Sequence, residues 1–152
     1  MIIVEKVVGN ESKEGSDKYY DKTLNVTLHD GKYELECLVL TDYELESAFG
    51  RTISPQDEFD AEHWNLRTTT AENIYKSNFH EYHIGYHELN QRIHLNAKII
   101  DITQGIVQIG EYKIQLQGVL HQDIQVGDFI EFDVKHLLLD IFWWDLYIKP
   151  YL

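Results

Sequence analysis

The chain of 152 residues is poor in the residues that mark a secreted scaffold, a linker or a membrane segment. It has one cysteine, Cys37, which excludes an internal disulfide and a cysteine-based zinc knuckle. Two prolines and nine glycines are too few for a low-complexity linker. No wholly apolar run exceeds five residues, and residues 1–4 lead into Glu5 without a basic region, so neither a membrane span nor a secretory signal is predicted. These absences predict a cytoplasmic protein.

Cations are also scarce, with 13 Lys and Arg residues against 26 Asp and Glu residues and a formal net charge of −13. The excess is −6 for residues 1–50, −3 for 51–92 and −4 for 93–152, so along the chain it is spread and not confined to a tail. Proteins bind nucleic acids by placing Lys and Arg against phosphates, so the composition argues against a nucleic-acid partner. The same charge attracts a basic protein, although it also serves solubility alone.

An apolar share of 43%, with 12% aromatic residues, is too high for a disordered chain and predicts one folded core. The clearest local element is a hairpin in which Asp30-Gly31 forms a two-residue type I′ turn. The pairs that this register places on one face are Leu28 with Tyr33, Val26 with Leu35, and Leu24 with Cys37. Residues Asn25, Thr27, Glu34 and Glu36 then share the outer face. Cys37 becomes a small core residue and not a reactive thiol.

The segment 42–80 is more polar, and its capping signals predict short helices. Thr41 opens a capping box before residues 42–49, and Ser54 followed by Pro55 is a helix start signal before residues 55–64. Thr70 predicts one further helical turn through Tyr75. We therefore expect a partly helical insert over residues 42–80.

The C-terminal part alternates apolar and polar residues in short runs separated by glycine, which is typical of strands. The adjacent Ile99 and Ile100 indicate a β-bulge. The runs predicted as strands are 93–99, 106–109 paired with 112–116 through Gly110-Glu111, 129–134 with Ile130, Phe132 and Val134 inward, and 142–148.

Together these patterns predict a mainly β fold of antiparallel strands with a short helical insert, arranged as a small OB-like β-barrel or as a sandwich. We expect one domain over residues 1–152, with a hairpin region at 1–41, the insert at 42–80 and a barrel-like region at 81–150. Roughly 40 residues before the insert are too few for a comfortable core of their own.

Histidines are concentrated in the sequence 80–94, and they define a candidate metal site. On a helix, His80, His83 and His87 would share one face and could bind zinc while leaving a position open for water. On a strand, His83 and His87 share a face and His80 points away. No HExxH motif is completed, because positions 84 and 91 are Ile and Gln. Exposed histidines without a metal are therefore the main interpretation, with zinc as the alternative.

The densest acidic patch lies in the insert and is followed by aromatic residues, which often act as binding anchors. Its carboxylates have three interpretations: a solvated face, a partner surface, or a pair for acid/base catalysis. The predicted partner-binding residues are Asp57, Glu58, Asp60 and Glu62 for charge, and Trp64, Tyr82 and Tyr86 as anchors.

The chain contains no phosphate-binding loop, dinucleotide-binding turn, GxSxG elbow or EF-hand loop. We therefore predict a non-enzymatic acidic interaction module that binds a basic protein, without a cofactor and without a membrane partner. An immunity-type inhibitor of a nuclease toxin is one concrete version, and a second subunit is a further candidate partner. The alternatives are a zinc-dependent hydrolase that uses the His80, His83 and His87 cluster, and a β-barrel that binds a small ligand.

Overall fold

Eleven β-strands and no helix form the regular structure in the described part of the chain. The computed structural model describes residues 1–10, 23–40, 53–59, 61, 64–87 and 89–141. The strands are β1 (Ile3–Asn10), β2 (Thr23–His29), β3 (Glu34–Leu40), β4 (Trp64–Thr70), β5 (Glu72–Lys76), β6 (His83–His87), β7 (Arg92–Asp101), β8 (Ile106–Ile109), β9 (Tyr112–Gln117), β10 (Phe129–Val134) and β11 (Leu137–Ile141). The prediction of a mainly β fold is confirmed. These residues contain no helix with the length and hydrophobicity needed to cross a membrane.

The contacts within the chain define two compact units. Unit 1 comprises Met1–Asn65 and Leu139–Leu152, and unit 2 comprises Leu66–Leu138. The expectation of a single domain for residues 1–152 stays a prediction.

Unit 1 contains an antiparallel sheet of β1, β2 and β3, with β11 next to β3 in the strand order. Apolar and polar residues alternate along β2 and in β3 up to Cys37, so these strands have one buried face and one polar face. The buried face includes Val4, Val26, Leu28 and Leu35, all fully inaccessible to solvent. Cys37 lies on this face, as predicted, and burial raises the pKa of its thiol well above the ordinary value.

The first hairpin has the predicted strands and faces, but its predicted register is wrong by two residues. Leu28 pairs with Leu35 and Val26 pairs with Cys37, so the loop holds four residues, not two. The Asp30 carboxylate accepts hydrogen bonds from the backbone N–H groups of Lys32, at 2.9 Å, and Tyr33, at 2.7 Å. This side-chain turn competes with the type I′ turn. Because the shift is two residues, the side chains within both strands keep their predicted faces, whereas Tyr33 lies in the loop and not in the strand.

The predicted helix over residues 55–64 is wrong for the residues that can be described there. Ser54 to Asp57 form a β-turn, with the Asp57 N–H donating to the Ser54 carbonyl at 3.1 Å and Gln56 at φ 76°. Proline at the second position and positive φ at the third define a type II turn. The Asp57 carboxylate also accepts the Ser54 N–H at 2.9 Å, which stabilises the turn. The other predicted helix, residues 42–49, lies outside the described residues.

Unit 2 contains the strand order β4-β9-β8-β7-β10-β5, and β6 pairs with β7. β4 and β9 pair in parallel. The other neighbouring strands with a defined register pair antiparallel, so the sheet is mixed. The strand order is open, so the predicted barrel is wrong, and the sandwich alternative stays a prediction. The terminal strand β5 has a register shift against β10 and a left-handed Asn73 at φ 54°, and such irregularities occur at sheet edges. The helical turn predicted from Thr70 is replaced by β4 and β5.

Other predictions for unit 2 are confirmed. Ile109 pairs with Tyr112, so Gly110 and Glu111 form the two-residue turn of the second hairpin. The register between β7 and β8 shifts between Ile99 and Asp101, where the bulge was expected. The inward residues of β10 are fully buried; they are Ile130, Phe132 and Val134. The predicted strand 142–148 lies outside the described residues.

Candidate functional site

Four strands of unit 2, in the order β6-β7-β10-β5, place polar residues side by side on one face. Gly85 is opposite His94, His94 is opposite Asp133, and Asp133 is opposite Glu72. Directly opposite residues project from the same face of a sheet, so these four form a row across the strands. The alternate residues of β7 and β10 are buried in the core on the other face. The sequence alternation therefore places ionisable side chains on this face. We call His83, His87, His94, Glu131 and Asp133 the imidazole face.

His94 and Asp133 form the centre of the imidazole face. His94 Nδ1 lies 2.7 Å from Asp133 Oδ1, and Asn73 Nδ2 donates to Asp133 Oδ2 at 3.2 Å. The other ring nitrogen of His94, Nε2, lies 3.8 Å from a carboxylate oxygen of Glu131. The side chains of His94 and Asp133 are 32% and 21% exposed, so the pair is partly shielded from water.

The charge of Asp133 is stabilised by its neighbours. Burial alone would raise the pKa of this carboxyl, but the hydrogen bonds from His94 and Asn73 and the positive charge that His94 and His87 can carry outweigh it, so the pKa lies below the ordinary value. Asp133 is therefore ionised over the whole neutral and mildly acidic range.

His87 completes a group that can hold a metal ion. Its ring centroid lies 6.1 Å from that of His94, at an interplanar angle of 63°. One ligand atom from each of His87, His94 and Asp133 can be chosen so that all lie within 4.8 Å of one another. Two imidazoles and a carboxylate are a ligand set that suits zinc and similar divalent metals.

Of the three histidines predicted as metal ligands, the structure brings only His87 into this group. His83 lies two residues before Gly85 on β6, and its Nε2 would be 3.2 Å from a Cβ added at Gly85. The glycine therefore leaves room for the His83 ring above the strand. His80 precedes β6, and its ring stacks on Phe129 with centroids 5.6 Å apart and an interplanar angle of 11°.

The position of His80 follows from the loop that carries it. Asn96 Nδ2 donates to the carbonyls of Phe79 and Glu81, both at 2.7 Å, which holds the backbone on either side of His80. Tyr82 also packs on Phe129, with ring centroids 5.7 Å apart. These residues are not helical, so the helical arrangement of His80, His83 and His87 does not occur.

His94 lies at the end of the histidine-rich sequence 80–94 but was not among the predicted metal ligands, and Asp133 was not predicted at all. Alternation along β7 and β10 indicates that both side chains leave the core on the same side of their strands. Their direct pairing depends on the register between two strands separated by about thirty residues of chain, for which the sequence carries no turn signal.

The polar face of unit 1 is rich in carboxylates. Glu58 is opposite Ile3, Ile3 is opposite His29, and His29 is opposite Glu34, so Glu58 and Glu34 lie in one row. Glu36 follows Glu34 on the same face, and Glu5 lies at the bulge in β1. The neighbouring Glu5 carboxyl, by hydrogen bonding and by its charge, raises the pKa of Glu34, and burial adds to this. We call Glu5, Glu34, Glu36 and Glu58 the anionic face.

The predicted partner-binding residues fall in different environments. Asp57 is half-buried in its turn and Glu58 is exposed, whereas Asp60 and Glu62 lie outside the described residues. Trp64 is only 6% exposed and packs edge-to-face against Phe59, with centroids 5.6 Å apart, so its ring belongs to the core of unit 1. In unit 2, Tyr82 is half-buried and Tyr86 is 46% exposed.

Unit 2 also has an open cleft of about 440 Å³. It is lined by Ile102, Thr103, Gln104, Gly105, Leu116, Gly118, Leu120, His121, Gln122 and Ile124. His121 is the ionisable side chain among these lining residues, so the cleft offers no convergent set of charged groups for a ligand.

Comparison of the chain with protein-family models, with curated proteins and with solved structures finds no match.

Proposed function

We propose that the protein is a non-enzymatic, cytoplasmic interaction module that binds a basic protein through carboxylates of unit 1. The observation that carries the proposal is the distribution of charge between the units. By sequence, unit 1 holds 17 Asp and Glu residues against 7 Lys and Arg residues, whereas unit 2 holds 9 against 6. Most of the excess negative charge therefore belongs to one unit.

The anionic face supports the proposal at the level of individual residues. The raised pKa of Glu34 indicates that the sheet holds carboxylates close enough to repel one another. Like charges on opposite strands destabilise a sheet, and a Lys or Arg of a partner would relieve that repulsion. Relief of this repulsion would therefore add to the free energy of binding.

The predicted residues Asp57, Glu58, Asp60 and Glu62 belong to unit 1 and would contribute to the same attraction. Tyr82 and Tyr86 remain proposed anchors in unit 2. An inhibitor of a nuclease toxin is one version of this function, because a nuclease presents cations to the phosphate backbone that a carboxylate face could occupy. A second copy of the chain is a less favourable partner for this face, because it would bring like charge.

The test is affinity capture on the immobilised full chain, followed by titration of the purified captured protein. We expect the captured protein to be basic and its affinity to fall as salt is raised. The triple variant Glu34→Gln, Glu36→Gln and Glu58→Gln should weaken binding by about tenfold or more, because it removes the charges proposed to face the partner.

The matched control is Glu81→Gln, Glu111→Gln and Asp123→Asn, which removes three exposed carboxylates from unit 2. Because both triple variants have the same net charge, a difference between them reports the location of the binding face. Equal losses in the two variants, or a captured protein whose affinity does not depend on salt, would contradict the proposal.

A further inference from the structure

We infer that the imidazole face of unit 2 is a binding site for a divalent transition metal ion of the zinc class, with His87, His94 and Asp133 as its protein ligands. The three residues come from three neighbouring strands: β6, β7 and β10. This ligand set differs from the three histidines that the sequence suggests, and the inference does not depend on the proposed interaction with a basic protein.

The distances between the candidate ligand atoms support a metal site. The three candidate ligand atoms already lie within 4.8 Å of one another. Zinc bonds of about 2 Å place neighbouring ligand atoms roughly 3.3 Å apart in a tetrahedral site. No pair therefore needs to approach by more than about 1.5 Å, and side-chain rotation of the exposed His87 is one way to adjust the distances.

The orientation of the ligands also supports a metal site. Asn73 donates to Asp133 Oδ2, which leaves Oδ1 directed at His94. Metal ligands in proteins are usually held in this way by a second layer of hydrogen bonds, which fixes the ring or carboxylate before the ion arrives. Asn73 adopts φ 54°, a conformation that asparagine accepts more readily than most residues. Asn73 is therefore a positioning residue for Asp133.

The surrounding charges support a metal site as well. Glu131 lies 3.8 Å from His94 Nε2, and Glu72 is opposite Asp133 in the strand register. Two described cations of β7 share this face. Arg92, opposite His87, forms an ion pair with Glu72, and Lys98 lies four residues beyond His94. With Asp133 and Glu131 both negative and Arg92 paired, the surroundings favour a cation over an anion.

Gly85 permits a close approach of the His83 ring to β6. This residue is opposite His94 and lies between His83 and His87 on the same face of β6. A side chain here would meet the His83 ring at 3.2 Å. The glycine therefore accommodates the His83 ring over β6. Three protein ligands leave at least one coordination position for water.

The experiment is calorimetric titration of the full chain with Zn²⁺, together with Co²⁺ absorption spectroscopy as a readout of coordination geometry. We expect one Zn²⁺ per chain and visible Co²⁺ bands typical of four- or five-fold coordination. His87→Asn and Asp133→Asn should each weaken Zn²⁺ binding about 100-fold or more, and Asn73→Ala about tenfold, as is usual for residues that orient metal ligands. His87→Asn is the main variant, because this exposed side chain can be changed without affecting the core.

Two further variants test whether these three residues, and not exposed histidines in general, bind the ion. His136→Asn removes an exposed histidine of unit 2 outside the group and should leave Zn²⁺ affinity unchanged. His80→Asn should also leave it unchanged, and a large loss there would favour the ligand set suggested by the sequence. The inference is overturned by such a loss, by an absence of stoichiometric binding, or by several weak sites that respond equally to His87→Asn and His136→Asn. Failure of the basic-partner proposal would leave these results unaffected.

Discussion

Carboxylates in units 1 and 2 have different neighbours. In unit 1, Glu34 lies beside Glu5, and its pKa is raised. In unit 2, Asp133 lies beside His94, and its pKa is lowered. Six of the eight histidines of the chain belong to unit 2 and two belong to unit 1. One unit therefore concentrates repulsion among acids, and the other pairs acids with imidazoles.

The net charge of −13 therefore does not show how the charge is distributed between the two units. Counted along the chain, the acidic excess is spread, but counted by unit it is −10 in unit 1 and −3 in unit 2. Unit 1 combines charged residues from near both ends of the sequence, and these residues belong to one unit only in the folded chain. The two proposals follow this division, with a cationic protein for unit 1 and a metal cation for unit 2.

The largest expected effect tests whether the two units are also separate in stability. Leu28 on β2 and Leu95 on β7 are both fully buried, one in each unit. Leu28→Ala and Leu95→Ala should each lower the free energy of unfolding by about 2–5 kcal/mol, through lost burial and the cavity left behind. If the chain is a single domain, as predicted, denaturant unfolding followed by several probes should show one transition. Both variants should then shift that transition.

Leu89→Ala is the matched control, because Leu89 is fully exposed at 104% of its reference area. It should change stability by no more than about 0.5 kcal/mol. Two resolved transitions, each shifted by only one of the core variants, would show that the units unfold independently and would contradict the single-domain prediction.

The sequence predicted the parts of the fold that depend on local pattern. Alternation identified β2, β3, β8, β9 and β10, and it placed Cys37 and Phe132 in the core. The predictions failed where a local turn replaced the predicted structure. The Asp30 carboxylate stabilises a longer loop in the first hairpin, and Pro55 lies in a β-turn and not at the start of a helix. Capping signals alone do not make a helix when the following residues have strand partners.

The candidate metal site was only partly predictable for the same reason. His87 was found because the histidines are close in sequence, and the strand alternative correctly separated it from His80. His94 and Asp133 meet through the antiparallel register of β7 and β10, which is set by the packing of both strands in the core. Sites of this kind, built across strands, are invisible until the register is known.

A smaller effect is expected from Asp133→Asn in unit 2. Because the folded pKa of Asp133 lies below its unfolded value of about 3.9, its charge stabilises the fold above that pH, and the stabilisation is lost as pH falls through the folded pKa. The variant should be less stable than the parent by about 1 kcal/mol at pH 7, since it loses charge-assisted hydrogen bonds. The difference should shrink as pH falls below about 4. Unfolding in urea across this pH range, without added metal, measures it; a constant difference would indicate that the ionised form has no special role.

The smallest effect, of opposite sign, is expected from Glu34→Gln in unit 1. The folded pKa of Glu34 is raised, so its charge costs stability at neutral pH, and that cost disappears as pH falls below the unfolded value of about 4.3. The variant should therefore be slightly more stable than the parent at pH 7 and equal to it near pH 4, as measured by thermal unfolding. Glu81→Gln removes one exposed carboxylate from unit 2 and controls for the change in net charge. A destabilised Glu34→Gln protein at pH 7, or the same gain in Glu81→Gln, would show that the carboxylates of the anionic face do not repel one another, and it would remove the main energetic support for a cationic partner at that face.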